Sequence, residues 1–155
     1  MKKILYLFLA LLLPGLIFVF LKYAGRNEFN IPVYYDAGVN PAPTDCGLTY
    51  QVPYRIKSRP SGASVVIFPV GEAESGLLDR LSAEFPSSRL EIVSAGKQWP
   101  ADSLGWAKKC YYLTNDPYNT VLIDSTGAIR GYYDVRLRDE EDRLRVELKI
   151  LLKQY

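Results

Sequence analysis

From Ser64 onward, apolar and polar positions fall into short, sharply bounded runs. Residues 64–70 (SVVIFPV) are almost wholly apolar and rich in β-branched side chains, the pattern of a strand covered on both faces. Residues 76–85 place Leu77, Leu78, Leu81 and Phe85 at helical spacing, and Pro86 stops the run. Residues 90–94 (LEIVS) predict a second short buried strand. Residues 101–110 hold a helical turn or two, with Asp102 or Ser103 as cap. Residues 120–124 (TVLID) predict a third strand. The turn at 125–127 ends on Gly127, which supplies the positive φ such turns often need. Residues 128–134 (AIRGYYD) then return as the fourth strand of a hairpin. The last run, 139–155, is an amphipathic helix. Its first turn is acidic, Lys149 and Lys153 sit near its end, and Leu144, Leu148, Leu151 and Tyr155 form one face. Glu141 and Arg145 stand four apart, at ion-pair spacing.

The order β-α-β-α-β-β-α predicts an α/β fold, a mixed sheet flanked by helices in the thioredoxin-like arrangement. Ahead of it the pattern changes twice. Residues 4–21 carry no charge, and a helix of that length rises ~27 Å, close to the ~30 Å hydrocarbon core of a bilayer. Lys2 and Lys3 precede the run; Lys22 and Arg26 follow it. A cleaved signal peptide is the rival reading, but small residues are missing at the positions cleavage needs. The expectation is one N-terminal transmembrane helix, with the soluble domain facing the periplasm or cell exterior from the inner (cytoplasmic) membrane. Residues 27–62, with Pro41, Pro43, Pro53 and Pro60 spread through them, read as a linker leading into the domain, with 31–36 as a short extended piece. The expected division is 1–26 anchor, 27–62 linker and 63–155 thioredoxin-like domain.

Composition narrows the chemistry. A chain of 155 residues, less the front segment, makes one compact domain. Net charge is +2 with both signs mixed, so no basic field points to nucleic acid. There is no histidine. That excludes a Ser-His-Asp triad, a Cys-His dyad and any His-ligated metal site within this chain. The two cysteines are Cys46 and Cys110.

The hairpin VLIDSTGAIRGYYD, followed by an acidic stretch and RLRVELKILL, resembles the C-terminal end of the Sco/SenC family, as does the front of the chain with GRNEFNIPVYYDAGV and a CG pair. The resemblance covers roughly residues 1–50 and 111–152. It implies a membrane-anchored thioredoxin fold linked to copper delivery for cytochrome oxidase, with a respiratory oxidase component as protein partner. The family's copper ligands are two cysteines in a CxxxC loop after the first core strand and a histidine ahead of the hairpin. The loop opens a helix, whose N-terminal dipole favours thiolate, and two thiolates with an imidazole suit copper. Here the loop falls on Val70, Gly71, Glu72, Ala73, Glu74 and Ser75, and the histidine position on Asp116. None of these is a family ligand, so the reading is a degenerate member without catalytic residues or a carried-over cofactor.

Other candidates each have a plain alternative. Cys46 and Cys110 are a redox or Cu(I)-binding pair, a structural staple, or two unrelated thiols. Lys108 and Lys109 beside Cys110 would favour its thiolate, or simply form a solvated face. Glu72, Glu74 and Asp116 would suit a hard cation if they cluster; loop carboxylates are more often only solvated. Tyr111, Tyr112, Tyr118, Tyr132 and Tyr133 supply a protein-binding surface or, for about half of them, the core. Pro117 stands near where thioredoxin folds keep a cis-proline, or is an ordinary turn proline. Trp99 and Trp106 read as packing. Three functions compete: a non-catalytic anchored accessory protein, a thiol-disulfide oxidoreductase or Cu(I) carrier using both cysteines, and a purely structural membrane protein.

Overall fold

The computed structural model describes residues 3, 12–20, 22, 31–57, 62–85 and 88–152, with the backbone alone for Glu72 and Ala73. The chain divides into two compact units, Met1–Asn30 and Ile31–Tyr155. In the first, residues 12–20 are helical with exposed side chains. Among the described residues no helix is long and apolar enough to cross a membrane. The anchor expected over 4–21 lies in large part outside them.

The second unit is built on four strands: β1 (Ala63–Ile67), β2 (Leu90–Ser94), β3 (Thr120–Ile123) and β4 (Ile129–Tyr133). They form one mixed sheet in the order β2-β1-β3-β4, with β1 parallel to β2 and antiparallel pairing from β1 through β3 to β4. The helices are α1 (Glu72–Glu84), α2 (Ala95–Gln98), α3 (Ala101–Trp106) and α4 (Arg138–Leu151); α3 continues as a π-helical turn over Ala107–Tyr111. The hairpin turn works as its sequence predicts. Gly127 has φ +83°, and a Cβ there would sit 2.5 Å from the Ile56 carbonyl oxygen.

Strand periodicity sorts the core into two layers, because successive side chains point to opposite faces. Val65, Ile67, Leu122 and Tyr133 meet Leu77, Leu81 and Phe85 after α1, and Leu144 and Leu148 of α4. Val66, Phe68, Val121, Ile123 and Tyr132 meet Ala95 of α2, Tyr112 and Leu113 beyond α3, and Tyr54 and Ile56. Leu77, Leu81, Leu144 and Leu148 are fully buried, and each such leucine contributes about 2 kcal/mol.

Three features differ from the sequence reading. Helix α1 begins at Glu72, not Gly76, so the resemblance's ligand loop is mostly a first helical turn. Gly71, at φ +73°, makes the sharp turn into it, and acidic residues favour the positive end of the dipole. Glu141 and Arg145 do not pair with each other. Arg80 of α1 takes Glu141 through two nitrogens at 2.7 Å, and Arg145 takes Glu84. Fork geometry between neighbouring helices wins over a flexible pair along one helix. Finally, residues 31–57 are part of the domain rather than a loose lead-in. The Tyr34 amide donates to Ile129 O of the edge strand, and the Ile56 amide to Gly127 O. Residues 34–37 form a turn, not an extended piece.

Candidate functional site

The ends of β1 and β2 and the start of β3 lie at one end of the sheet. Ile67 is in register with Ser94 on one side and Thr120 on the other, and the Phe68 amide donates to Asn119 O at 2.8 Å. The segments 68–71 and 116–119 therefore leave the sheet together. This is the kind of place, outside the carboxyl ends of parallel strands, where α/β sheets hold ligands.

The residues placed there are spoken for. Val70 is partly buried and packs on the first core layer. Gly71 caps α1 with backbone only, without a side-chain bond at the cap, and accepts from the Glu74 amide. The Glu74 carboxylate accepts from the Ser94 hydroxyl, which ties the first turn of α1 to the end of β2. Glu72, Ala73 and Ser75 follow the same helical turn in backbone. The Asp116 side chain is 92% exposed and pairs with Lys108 at 2.6 Å. The hydrogen bond from Lys108 holds its carboxyl below the usual range. The Asp116–Pro117 bond is cis. Among the described residues no three of Cys, Asp and Glu come together as a metal-holding group. This donor set does not fit copper: carboxylates are hard oxygen ligands, and Cu(I) prefers thiolate.

The two cysteines lie elsewhere, and they meet. Cys46, closing a short 3₁₀ turn (Thr44–Cys46), is disulfide-bonded to Cys110 with Cα atoms 5.5 Å apart. Both are buried. Lys109 pairs with Asp45, and Lys108 with Asp116, so both lysine charges beside Cys110 are engaged by carboxylates.

Cys110 belongs to the last turn of a helix, where carbonyl groups lack partners within the helix. Four tyrosine hydroxyls supply them. Tyr50 donates to Cys110 O at 3.0 Å, Tyr54 to Tyr111 O at 2.6 Å, Tyr132 to Tyr112 O at 3.0 Å and Tyr35 to Leu113 O at 3.4 Å. Beyond the cap at Tyr112, Leu113 takes the left-handed region, φ +54°, and the Thr114 amide closes back onto Lys108 O. Burial drives the Tyr54 and Tyr132 hydroxyls well above the usual phenol range, with neighbouring tyrosines adding to it. They act as neutral donors.

Of the tyrosines singled out in the sequence, Tyr112, Tyr132 and Tyr133 are buried, Tyr111 is half-buried and Tyr118 is exposed. Trp99 packs on the second layer and on Trp106, whose ring is partly exposed. Sequence reasoning missed Tyr35, Tyr50 and Tyr54. The one signal was aromatic density within a proline-rich stretch. Compared with known proteins, the chain matches no family model and no curated relative.

Proposed function

We propose that this chain is a membrane-anchored, non-catalytic thioredoxin-like scaffold of Sco/SenC type, serving as an accessory in cytochrome oxidase assembly or copper handling through protein contacts. The fold reading is supported by a parallel strand-helix-strand unit that continues into an antiparallel hairpin and a closing helix. One observation carries the functional reading. The chain's only thiols are locked in a buried disulfide in the last turn of a helix. Redox and copper-binding thioredoxin-like sites need thiols at a helix N-terminus, where the dipole stabilises thiolate. Here the negative end faces the sulfur, and the helix that starts beside the sheet end has no thiol.

The second reading, a thiol-disulfide oxidoreductase or Cu(I) carrier using Cys46 and Cys110, is favoured by the contact between the two sulfurs. A Cu(I) competition titration on the reduced full chain, beside Cys46→Ser and Cys110→Ser, separates the two. The scaffold reading expects no binding above the competitor in any of the three. Tight one-to-one binding lost in either variant would establish the carrier. Recovery of oxidase subunits with the tagged chain, unchanged in both variants, supports the assembly role.

A further inference from the structure

Residues 36–53 leave the domain and return to it at one neck. The Tyr35 carbonyl accepts from the amides of Gly38 and Tyr54 at 3.2 and 3.1 Å, and Arg55 pairs with Asp36 at 2.7 Å. The two limbs touch there, since a Cβ at Gly38 would sit 2.9 Å from Val52 Cγ2. On the domain side of the neck, Tyr54 and Ile56 are buried, and the Ile56 amide donates to Gly127 O. Beyond the neck the attachments thin out. From Asn40 to Thr49 every residue is exposed except half-buried Pro43 and buried Cys46. Among the described residues no backbone hydrogen bond ties 40–49 to the rest of the domain. Two links hold this tip: the disulfide from Cys46 to Cys110, and the ion pair of Asp45 with Lys109. The second joins two exposed side chains, and such pairs contribute little. The carbonyls of Tyr111, Tyr112 and Leu113 take their donors from Tyr54, Tyr132 and Tyr35, all outside 40–49.

We propose that Cys46–Cys110 is a redox latch: reduction by a dithiol frees residues 40–49 while the neck and the sheet stay in place. A thiolate of the dithiol attacks Cys46 Sγ, which stands between exposed Asp45 and Gly47. The Cys110 sulfur leaves and takes a proton. The dithiol's second thiolate then displaces the Cys46 sulfur, which takes another. The chain gains two electrons and two protons, and the dithiol becomes a disulfide. A segment with so few buried contacts opens readily once its covalent tie is cut. Its departure takes Cys46 and Asp45 away from the helix end, leaving Cys110 a thiol and Lys109 without its partner. Redox state is thereby converted into the shape of one face of the domain. The latch goes beyond the oxidase-assembly reading and does not rest on it, since it needs neither copper nor a membrane.

The test is a spin-label distance measurement on the full chain in detergent, with labels at Ala42→Cys and Val146→Cys. It compares the intact disulfide with Cys46→Ser and Cys110→Ser added. The intact latch should give one narrow distance. Without it the distribution should widen roughly twofold or more. A second pair, Val33→Cys and Val146→Cys, should keep its distance, and thermal unfolding should stay cooperative. An unchanged Ala42 distance would overturn the proposal, because the loop would stay shut without its tie. So would movement of the Val33 pair or loss of the cooperative transition, either of which makes the disulfide a staple of the whole fold. Dithiothreitol tests the chemistry on the unsubstituted chain. Reduction should speed up in proportion to its concentration. A rate independent of concentration would mean that the sulfurs are reached only through global unfolding, and would overturn the latch as well.

Discussion

Two helix ends in this domain invite comparison. At the start of α1, the backbone turns on Gly71 and the first turn offers only carboxylates, a serine and an alanine. At the end of α3, a disulfide and four tyrosine hydroxyls converge on consecutive carbonyls. The first end has the electrostatics that activate a thiol, and no thiol. The second has both cysteines and the opposite electrostatics. The disulfide thus lies at the end of a helix, and the start of α1 carries no cysteine.

The comparison breaks most directly at the staple. The disulfide closes a 64-residue separation, and loop-closure entropy of that size stabilises the fold by about 4 kcal/mol. Cys46→Ala with Cys110→Ala should lower the urea-unfolding free energy by that order, and a reductant should do the same to the native chain. A change under about 1 kcal/mol would mean that residues 31–57 are held by packing and hydrogen bonds alone.

The tyrosines come next. Removing the hydroxyl of Tyr54 takes the donor from the Tyr111 carbonyl, so Tyr54→Phe should cost about 1–2 kcal/mol. Tyr132→Phe should cost less, because the Tyr112 carbonyl also accepts from the Thr114 hydroxyl. Tyr50→Phe should cost less, because its hydroxyl lies nearer the solvent. Alkaline titration tests the same contacts. Both buried hydroxyls titrate above the unfolded value, so the neutral form favours the folded state. Their contribution is full below pH ~10, the unfolded phenol value. It is lost as pH rises above that, because the unfolded chain releases protons first. The native chain should therefore lose stability steeply in alkali, and Tyr54→Phe should flatten the slope.

What could be read from the sequence follows the same division. The four strands stand out because unbroken apolar runs have few other uses, and the 120–133 hairpin because Gly127 sits where its turn demands it. The start of α1 could not be read. Glu72 to Ser75 carry no apolar stripe, so periodicity finds the helix only from Leu77 on. Residues 31–57 were equally opaque. They pack through Tyr35, Tyr50, Tyr54 and Ile56, spaced by no regular period and interrupted by prolines. Nothing in one sequence says that Cys46 lies against Cys110.

Gly71→Ala probes the bare end. A Cβ at Gly71 would meet nothing within 4 Å, so its effect isolates backbone strain at φ +73°, ψ −138°. Such a conformation costs a non-glycine residue about 1–2 kcal/mol, read in the same urea unfolding. No loss would mean that α1 starts without needing this turn.

The smallest effect on stability should come from Asp116, and it tests the resemblance best. Its side chain is almost fully exposed and its pair with Lys108 is a surface one, so Asp116→His should leave the melting temperature unchanged. It should also leave Cu(I) affinity unchanged, since one imidazole without thiolates is a poor site. Adding Val70→Cys and Glu74→Cys changes the question. Those substitutions set two thiols in CxxxC spacing at the positive end of α1, beside the segment that carries residue 116. If this end of the sheet keeps the family's geometry, the triple variant gains Cu(I) in competition titration while Asp116→His alone gains nothing. If the triple variant also stays silent, more than ligand identity separates this chain from the family it resembles. The scaffold has then moved away from the copper site in shape, and partners must be sought at its other surfaces.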